Sequence, residues 1–235
     1  MPSTSSQQEP CPPRGARFAR GVGLGFPILL GYLPIGMAFG VLAESLGFTP
    51  LQAVACSALA LAGAGQFIAL ALMGSGATAI AVVAATTVVN LRYVLFGAAL
   101  SPHLDRVRPV GQALLAFSLT DETFAVNIDD HRRGSADAWS MAGVGAIAWA
   151  GWVGGTAVGA LASGLIGDPA RWGVQFAMPA MFTALLVAQA ESRRHVLVGV
   201  IAAALTLGFM MLLPGRWYVV AAPILAATLA AVLPR

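Results

Sequence analysis

Apolar residues occur in long runs along this chain, and several of those runs approach the roughly 20 residues that a helix needs to cross a bilayer. They predict spans at about 23–43, 51–73, 77–100, 110–128, 139–166, 172–189, 196–213 and 217–233. The first run carries Pro27, Gly31, Pro34, Gly36 and Gly40, so a kink or break is expected near Pro34, where a neighbour or a cavity must re-satisfy the backbone. The second holds Gly63-Ala64-Gly65-Gln66 at mid-depth, and the third holds Asn90 and Arg92. The fourth is the least hydrophobic, with Asp121 and Glu122 side by side in its middle. The fifth sets Gly151, Gly155, Gly159 and Ser163 four residues apart, a ridge of small side chains along which another helix backbone can approach closely. Pro179 and Pro223 interrupt the sixth and the eighth. The pattern predicts an all-α, polytopic membrane bundle of about eight helices, or seven if residues 77–100 form a re-entrant hairpin.

Composition agrees with that reading. The chain is 58% hydrophobic and 10% charged, with a mean hydropathy of +0.80, against about 25% charged residues in a soluble protein. Spans and short loops use nearly all of its 235 residues, which leaves no room for a soluble catalytic domain. Residues 1–22 are polar and Pro-rich, end in Arg14, Arg17 and Arg20, and read as a disordered cytoplasmic tail; residues 23–235 read as one transmembrane domain. The apolar run after the tail is too long for a signal-peptide core, so the first span is expected to stay uncleaved. Every basic residue is Arg, and the scatter of these residues over loops gives no nucleic-acid footprint. With the N-terminus inside and eight spans, Arg14, Arg17, Arg20, Arg132, Arg133, Arg193, Arg194 and Arg235 fall on the cytoplasmic side, against Arg106, Arg108, Arg171 and Arg216 outside. The positive-inside rule favours that orientation, and Trp139, Trp172, Trp217 and Tyr218 sit at span ends as interfacial aromatics do. Cys11 and Cys56 form neither a disulfide framework nor a metal-ligand spacing, and no cofactor is expected.

Sliding the sequence by 119 residues overlays Gly36-Met37-Ala38-Phe39-Gly40-Val41-Leu42-Ala43 on Gly155-Thr156-Ala157-Val158-Gly159-Ala160-Leu161-Ala162. A second match pairs Phe67-Ile68-Ala69-Leu70 with Phe182-Thr183-Ala184-Leu185 at an offset of 115. Gly, Ala and Leu match by chance throughout such a chain, so duplication and coincidence stand level. A duplication would fit the repeats of secondary transporters, parallel with four spans per unit and inverted with an odd number.

Chemistry concentrates at Asp121 and Glu122. A charge at the centre of a membrane helix costs roughly 2.5–3.5 kcal/mol on insertion scales, so such residues face a protein interior or wet cavity and mark an ion or substrate path. Arg92, in the preceding span, is the candidate partner. The two acids stand about 100° apart around a helix, so at most one points straight at Arg92 while the other titrates or meets another donor. A structural ion pair or a hydrated helix end is the plainer alternative. Asn90 and Gln66 read equally well as substrate ligands or as interhelical hydrogen-bond glue. A break at Gly31-Tyr32-Leu33-Pro34-Ile35-Gly36 would free backbone groups to hold an amino-acid carboxylate, which makes Tyr32 and Pro34 candidate site residues. The chain lacks H-E-x-x-H, G-x-S-x-G and the P-loop spacing, which argues against those enzyme classes and against an ATP-driven pump.

Four motifs in order resemble the AzlC family of membrane permeases: Gly31-Tyr32-Leu33-Pro34-Ile35-Gly36, Gly63-Ala64-Gly65-Gln66-Phe67, Asn90-Leu91-Arg92-Tyr93 and Asp121-Glu122-Thr123. Tyr93 stands where the family commonly has His, which argues against a general proton-relay role there. The resemblance covers about residues 20–235. It implies a non-enzymatic exporter of branched-chain amino acids (valine, leucine or isoleucine) in the inner membrane. It also implies drive by an ion gradient, here read as protons, and a small multi-span subunit of the AzlD family as partner. Export of another small amino acid or hydrophobic solute is the alternative, and a membrane enzyme using Asp121 and Glu122 as an acid/base dyad ranks below it for want of a second catalytic group.

Overall fold

A computed structural model describes residues 12–166 and 193–212, together with the single positions 176, 180, 183, 187, 225, 226 and 228. Helix α1 (Arg14–Ser45) runs unbroken past Pro27 and Pro34. The chain then turns at Gly47, whose φ of +87° suits glycine. Thr49 and Gln52 form a capping box that starts α2 (Pro50–Leu59). Helix α2 does not cross the bundle: it stops at residues 60–62, and α3 (Gly63–Gly74) heads back until Gly74 ends against Leu46, at the end of α1. The two form a hairpin that enters and leaves by one face.

Gly76, at φ +74°, turns the chain again, and Thr78 caps α4 (Ala79–Asn90). This helix descends beside α3 until Asn90 lies against Gly65; after a one-residue interruption at Leu91, α5 (Arg92–Leu100) and a 3-10 turn (Ser101–His103) complete a full-length apolar crossing. On the far face α6 (Pro109–Phe117) enters, breaks at residues 118–120, and α7 (Asp121–Arg132) returns. Glu122 bonds Tyr32 in the middle of α1 while Asp130 bonds Arg20 near its start, so α7 runs antiparallel to α1 and ends where α1 begins. There the His131 ring stacks on His103, centroids 4.2 Å apart. The third long apolar helix, α8 (Ala138–Ile166), starts from the same face. A further helix, α9, spans Arg193–Leu212.

The central seam is α1 on α8, and the two helices run parallel. Gly25 lies against Val144, Leu29 against Gly151, Leu33 against Gly155, and Gly40 against Thr156, so partners rise together along both chains. A Cβ on Gly36 would stand 2.6 Å from the Trp152 carbonyl oxygen, and Gly40, Gly155 and Gly159 likewise meet backbone of the facing helix. Glycine is required at these positions because the backbones touch, as membrane helix pairs built on small residues do. The ridge predicted at Gly151, Gly155 and Gly159 thus packs within the chain, and Gly36 and Gly40 form its counterpart.

Several expectations are corrected. The runs at 51–73 and 110–128 fold back at mid-height, while residues 79–103 cross; hydropathy does not distinguish a crossing from a hairpin, because lipid solvates both equally. Arg106 and Arg108 therefore join Arg14, Arg17, Arg20, Arg132 and Arg133 at the face where α1 begins, instead of lying opposite. Helix α1 starts at Arg14, nine residues before the expected span, because Arg17 and Arg20 reach Asp137 and Asp130 and tie its first turns to the bundle. The break expected near Pro34 is absent; Pro34 is exposed on the outer side of α1. Equivalent segments of the proposed repeat lie in α1 and α8, whose parallel course is the orientation of parallel repeats. Spans six and eight with their prolines, Trp172, Trp217 and Tyr218, and most of the second repeat match fall outside the described residues.

This chain course makes a direct prediction. In a background lacking Cys11 and Cys56, Arg106→Cys and Arg132→Cys should react with an impermeant maleimide from one side of the membrane, and Phe48→Cys from the other. Labelling of Arg106→Cys and Arg132→Cys from opposite sides would restore the eight-crossing reading.

Candidate substrate site at the helix breaks

The breaks in three consecutive segments converge on one small cavity in the bundle. Leu61, Gly63 and Ala64 line it from the α2–α3 turn, Arg92 and Tyr93 from the start of α5, and Thr120, Asp121 and Glu122 from the α6–α7 turn. Tyr32 and Ile35 of α1 and Trp152 of α8 close it. Helices α3 and α7 approach from opposite faces and both open at the cavity, so two half-helix N-termini, each carrying partial positive charge, meet there. They differ in how that charge is met. Among the described residues no side chain caps α3, whose first turn is Gly63-Ala64-Gly65, leaving its amides available to an anion. The α7 terminus is closed by the Thr120 and Thr123 capping box and carries Asp121 and Glu122 in its first turn, where a helix favours acids.

The two acids take different partners. Arg92 Nη1 lies 2.8 Å from Asp121 Oδ2, and its guanidinium stands over the Tyr93 ring at 5.3 Å. Glu122 makes no such pair among the described residues: its Oε2 accepts a 2.5 Å hydrogen bond from the Tyr32 hydroxyl, which also lies 2.7 Å from Thr120 Oγ1. Tyr32 has one proton to give, so the Glu122 contact and the Thr120 contact are one donated and one accepted bond. The site therefore holds a fixed ion pair beside a separate carboxylate on a buried hydroxyl. At about 30 Å³ the cavity has room for a water molecule or two and none for an amino acid, so admitting one requires its lining to move.

The other candidate residues distribute differently. Gln66 is buried behind the cavity: its amide accepts from Trp152 Nε1 at 2.9 Å and donates to Ser57 Oγ at 3.3 Å, and Ser57 in turn meets Thr156 at 2.8 Å. It ties the α2–α3 hairpin to α8 and holds the Trp152 ring. Asn90 packs on Gly65 with a buried Oδ1 that has no hydrogen bond among the described residues, and it does not line the cavity. Pro34 also lies off the cavity. Thr120 and Trp152 belong to the site without having been singled out. The Thr120-x-x-Thr123 spacing, with two acids between, was a readable cap, and Trp152 is the one aromatic within the glycine ridge.

At the Arg-bearing face, Asp130 is held by Arg20 and Ser135, and the Arg20 hydrogen bond keeps its carboxyl below the ordinary carboxylate range. Burial, then the neighbouring His103, lowers the pKa of His131.

The family model described as "AzlC protein" matches residues 27–166, the stretch that contains all three breaks and the glycine seam from Leu29 onward. The chain is 36% identical to Inner membrane protein YgaZ of Escherichia coli, over 79% of this chain and 78% of that protein. It is 33% identical to an uncharacterized membrane protein of Archaeoglobus fulgidus, over 85% and 87%, and 28% identical to the Branched-chain amino acid transport protein AzlC of Bacillus subtilis, over 72% and 66%. No solved structure matches it significantly. With a helical membrane bundle, the family's motifs gathered around one cavity, and matches over most of its length, the chain belongs to the AzlC family.

Proposed function

We propose that this protein exports branched-chain amino acids, with valine, leucine and isoleucine as substrates, across the cytoplasmic membrane in exchange for protons. The observation that carries the reading is the division of labour at the cavity, where Asp121 is tied to Arg92 while Glu122 stands apart on Tyr32. Ionisable groups at membrane depth mark substrate or ion paths. A carboxylate with only a hydroxyl partner can exchange a proton, while the open α3 terminus can hold a substrate carboxylate, as discontinuous helices of transporters do. The transport named for the Bacillus subtilis relative supplies the substrate class. Both acids have partners within the protein, which fits coupling better than an acid/base dyad acting on a substrate. The seven arginines at the face where α1 begins support a cytoplasmic position for that face, and for the N-terminus, by the positive-inside rule. A small AzlD-family membrane subunit is the proposed partner.

Counterflow of labelled leucine in lipid vesicles tests the reading, first with this chain alone and then with the small subunit. Leucine accumulation against unlabelled internal leucine in either preparation supports a carrier. No counterflow of valine, leucine or isoleucine in either would overturn it, and counterflow of a different solute alone would replace the substrate.

A further inference from the structure

The inner face of α7 carries a row of polar side chains that the cavity does not use. Thr123 is fully buried, Asn127 is 4% exposed and Asp130 6%, and steps of four and three residues stack them along one side of the helix. Buried polar groups are as a rule hydrogen-bonded. Thr123 Oγ1 meets the Ser118 carbonyl at 2.8 Å and Thr120 Oγ1 at 3.3 Å, and Asp130 has Arg20, Ser135 and, at 3.5 Å, Ser140. Asn127 differs: its amide makes no hydrogen bond to any described residue and, unlike Asn90 Oδ1, is not fully sealed, so the little surface that Asn127 shows includes its amide atoms, although Val126 and Ile128 on either side pack into the apolar clusters. An amide with two donor hydrogens and an acceptor oxygen in such a place calls for a small polar partner, and buried water, which makes about three hydrogen bonds, is suited to it.

The two ends of the row are already connected. Above, Thr123 Oγ1, Thr120 Oγ1 and the Tyr32 hydroxyl lead in steps of 3.3 and 2.7 Å to a 2.5 Å bond on Glu122. Below, Asp130 sits at the Arg-bearing face. We infer that the inner face of α7 conducts protons between that face and Glu122, with water positioned by Asn127 bridging the stretch between Thr123 and Asp130. The inference rests on the reading of Glu122 as the proton-exchanging group. Each hydroxyl or water passes one proton on as it takes one up, so a proton entering from solvent ends on the Glu122 carboxylate and every relay group is restored. Asn127 is a positioning residue, since its amide orients water and carries no proton itself. The charged and titratable neighbours are Asp121, Arg92, Tyr32 and Tyr93 around Glu122, and Arg20, Asp137, Arg17 and His131 around Asp130.

The test uses the full chain in vesicles loaded with a pH-sensitive dye, together with the small subunit if counterflow requires it. Asn127→Leu fills the same volume with an apolar side chain, and should lower leucine flux driven by a pH gradient, with its accompanying proton flux, at least tenfold while leucine counterflow stays within twofold of wild type. Asn127→Ala leaves room for additional water and should keep more than half of the driven flux. A packing role predicts the reverse ranking, so driven flux in Asn127→Leu equal to or above that in Asn127→Ala overturns the inference; Asn127→Val takes the place of Asn127→Leu if that variant does not accumulate. Glu122→Gln in the same preparation separates the two ideas. If it loses driven flux while Asn127→Leu keeps it, the proton path is wrong and the coupling residue stands; if Glu122→Gln is driven normally, the coupling reading falls and the path with it.

Discussion

Glu122→Gln should leave leucine exchange within about threefold of wild type while net export driven by a pH gradient falls by two orders of magnitude or more. The amide copies the protonated carboxyl in shape and still accepts from the Tyr32 hydroxyl, so the 2.5 Å contact and the Tyr32–Thr120 bond persist. What disappears is the proton that must leave and return in each driven cycle. Asp121→Asn should behave differently, because it strands Arg92. Losing one partner of a fully buried pair costs about 3–5 kcal/mol, and the partial exposure of these two side chains, 28% for Arg92 and 18% for Asp121, reduces that figure. The expected result for Asp121→Asn is lower accumulation and impaired exchange together. Parallel measurement of exchange and driven efflux in vesicles decides between the acids. Loss of drive in Asp121→Asn with wild-type behaviour in Glu122→Gln would reverse their roles, and normal drive in both would place the coupling site elsewhere.

Much of this site was readable from residues alone, because membrane burial makes charge conspicuous. Arg92, Asp121 and Glu122 stood out as the opposite charges at depth in adjacent segments, and the angular step between the acids already allowed at most one of them to face Arg92. The course of the chain was not readable in the same way. Residues 51–73 and 110–128 are long and apolar enough to cross, and only their breaks, at 60–62 and 118–120, turn them back. The capping box at Thr120 marked one of those turns. The other has no side-chain cap, so nothing but the glycines of Gly63-Ala64-Gly65 announced it. Pro34 misled because membrane helices tolerate a proline, and α1 continues through it with Pro34 exposed on its outer side.

Gly155→Leu should abolish accumulation of the folded protein. A Cβ at that position already meets the Leu33 carbonyl oxygen and lies 3.2 Å from Gly36 Cα, so there is no flexible side chain to move aside. Accommodating four carbon atoms means driving α1 and α8 apart along a seam that runs from Gly21 to Gly40, with the Trp152 ring and the cavity wall moving as well. Overpacking confined to side chains typically costs 1–3 kcal/mol; a backbone-to-backbone clash belongs with the exceptional losses above about 4–5 kcal/mol. Gly154→Leu is the matched control, since nothing among the described residues stands within 4 Å of a Cβ there, and it should accumulate as wild type does. Detergent-extracted yield and fluorescence-detected size exclusion would compare the pair. Equal yields would show that the two helices part without penalty.

The hydrogen bonds that seat the α2–α3 hairpin also set an order of assembly. Gln66 and Ser57 bond each other within the hairpin, and their partners outside it, Trp152 and Thr156, follow them by 86 and 99 residues. At about 5–20 residues per second, a ribosome takes roughly 4–20 s to add that length. Through that interval the hairpin has no α8 to lie against, and its buried amide would face lipid if it entered the bilayer early. The second hairpin has no such delay, because Glu122 and Asp130 bond to Tyr32 and Arg20 of a helix already made. The bonds between the α2–α3 hairpin and α8 thus become available only after those between α7 and α1.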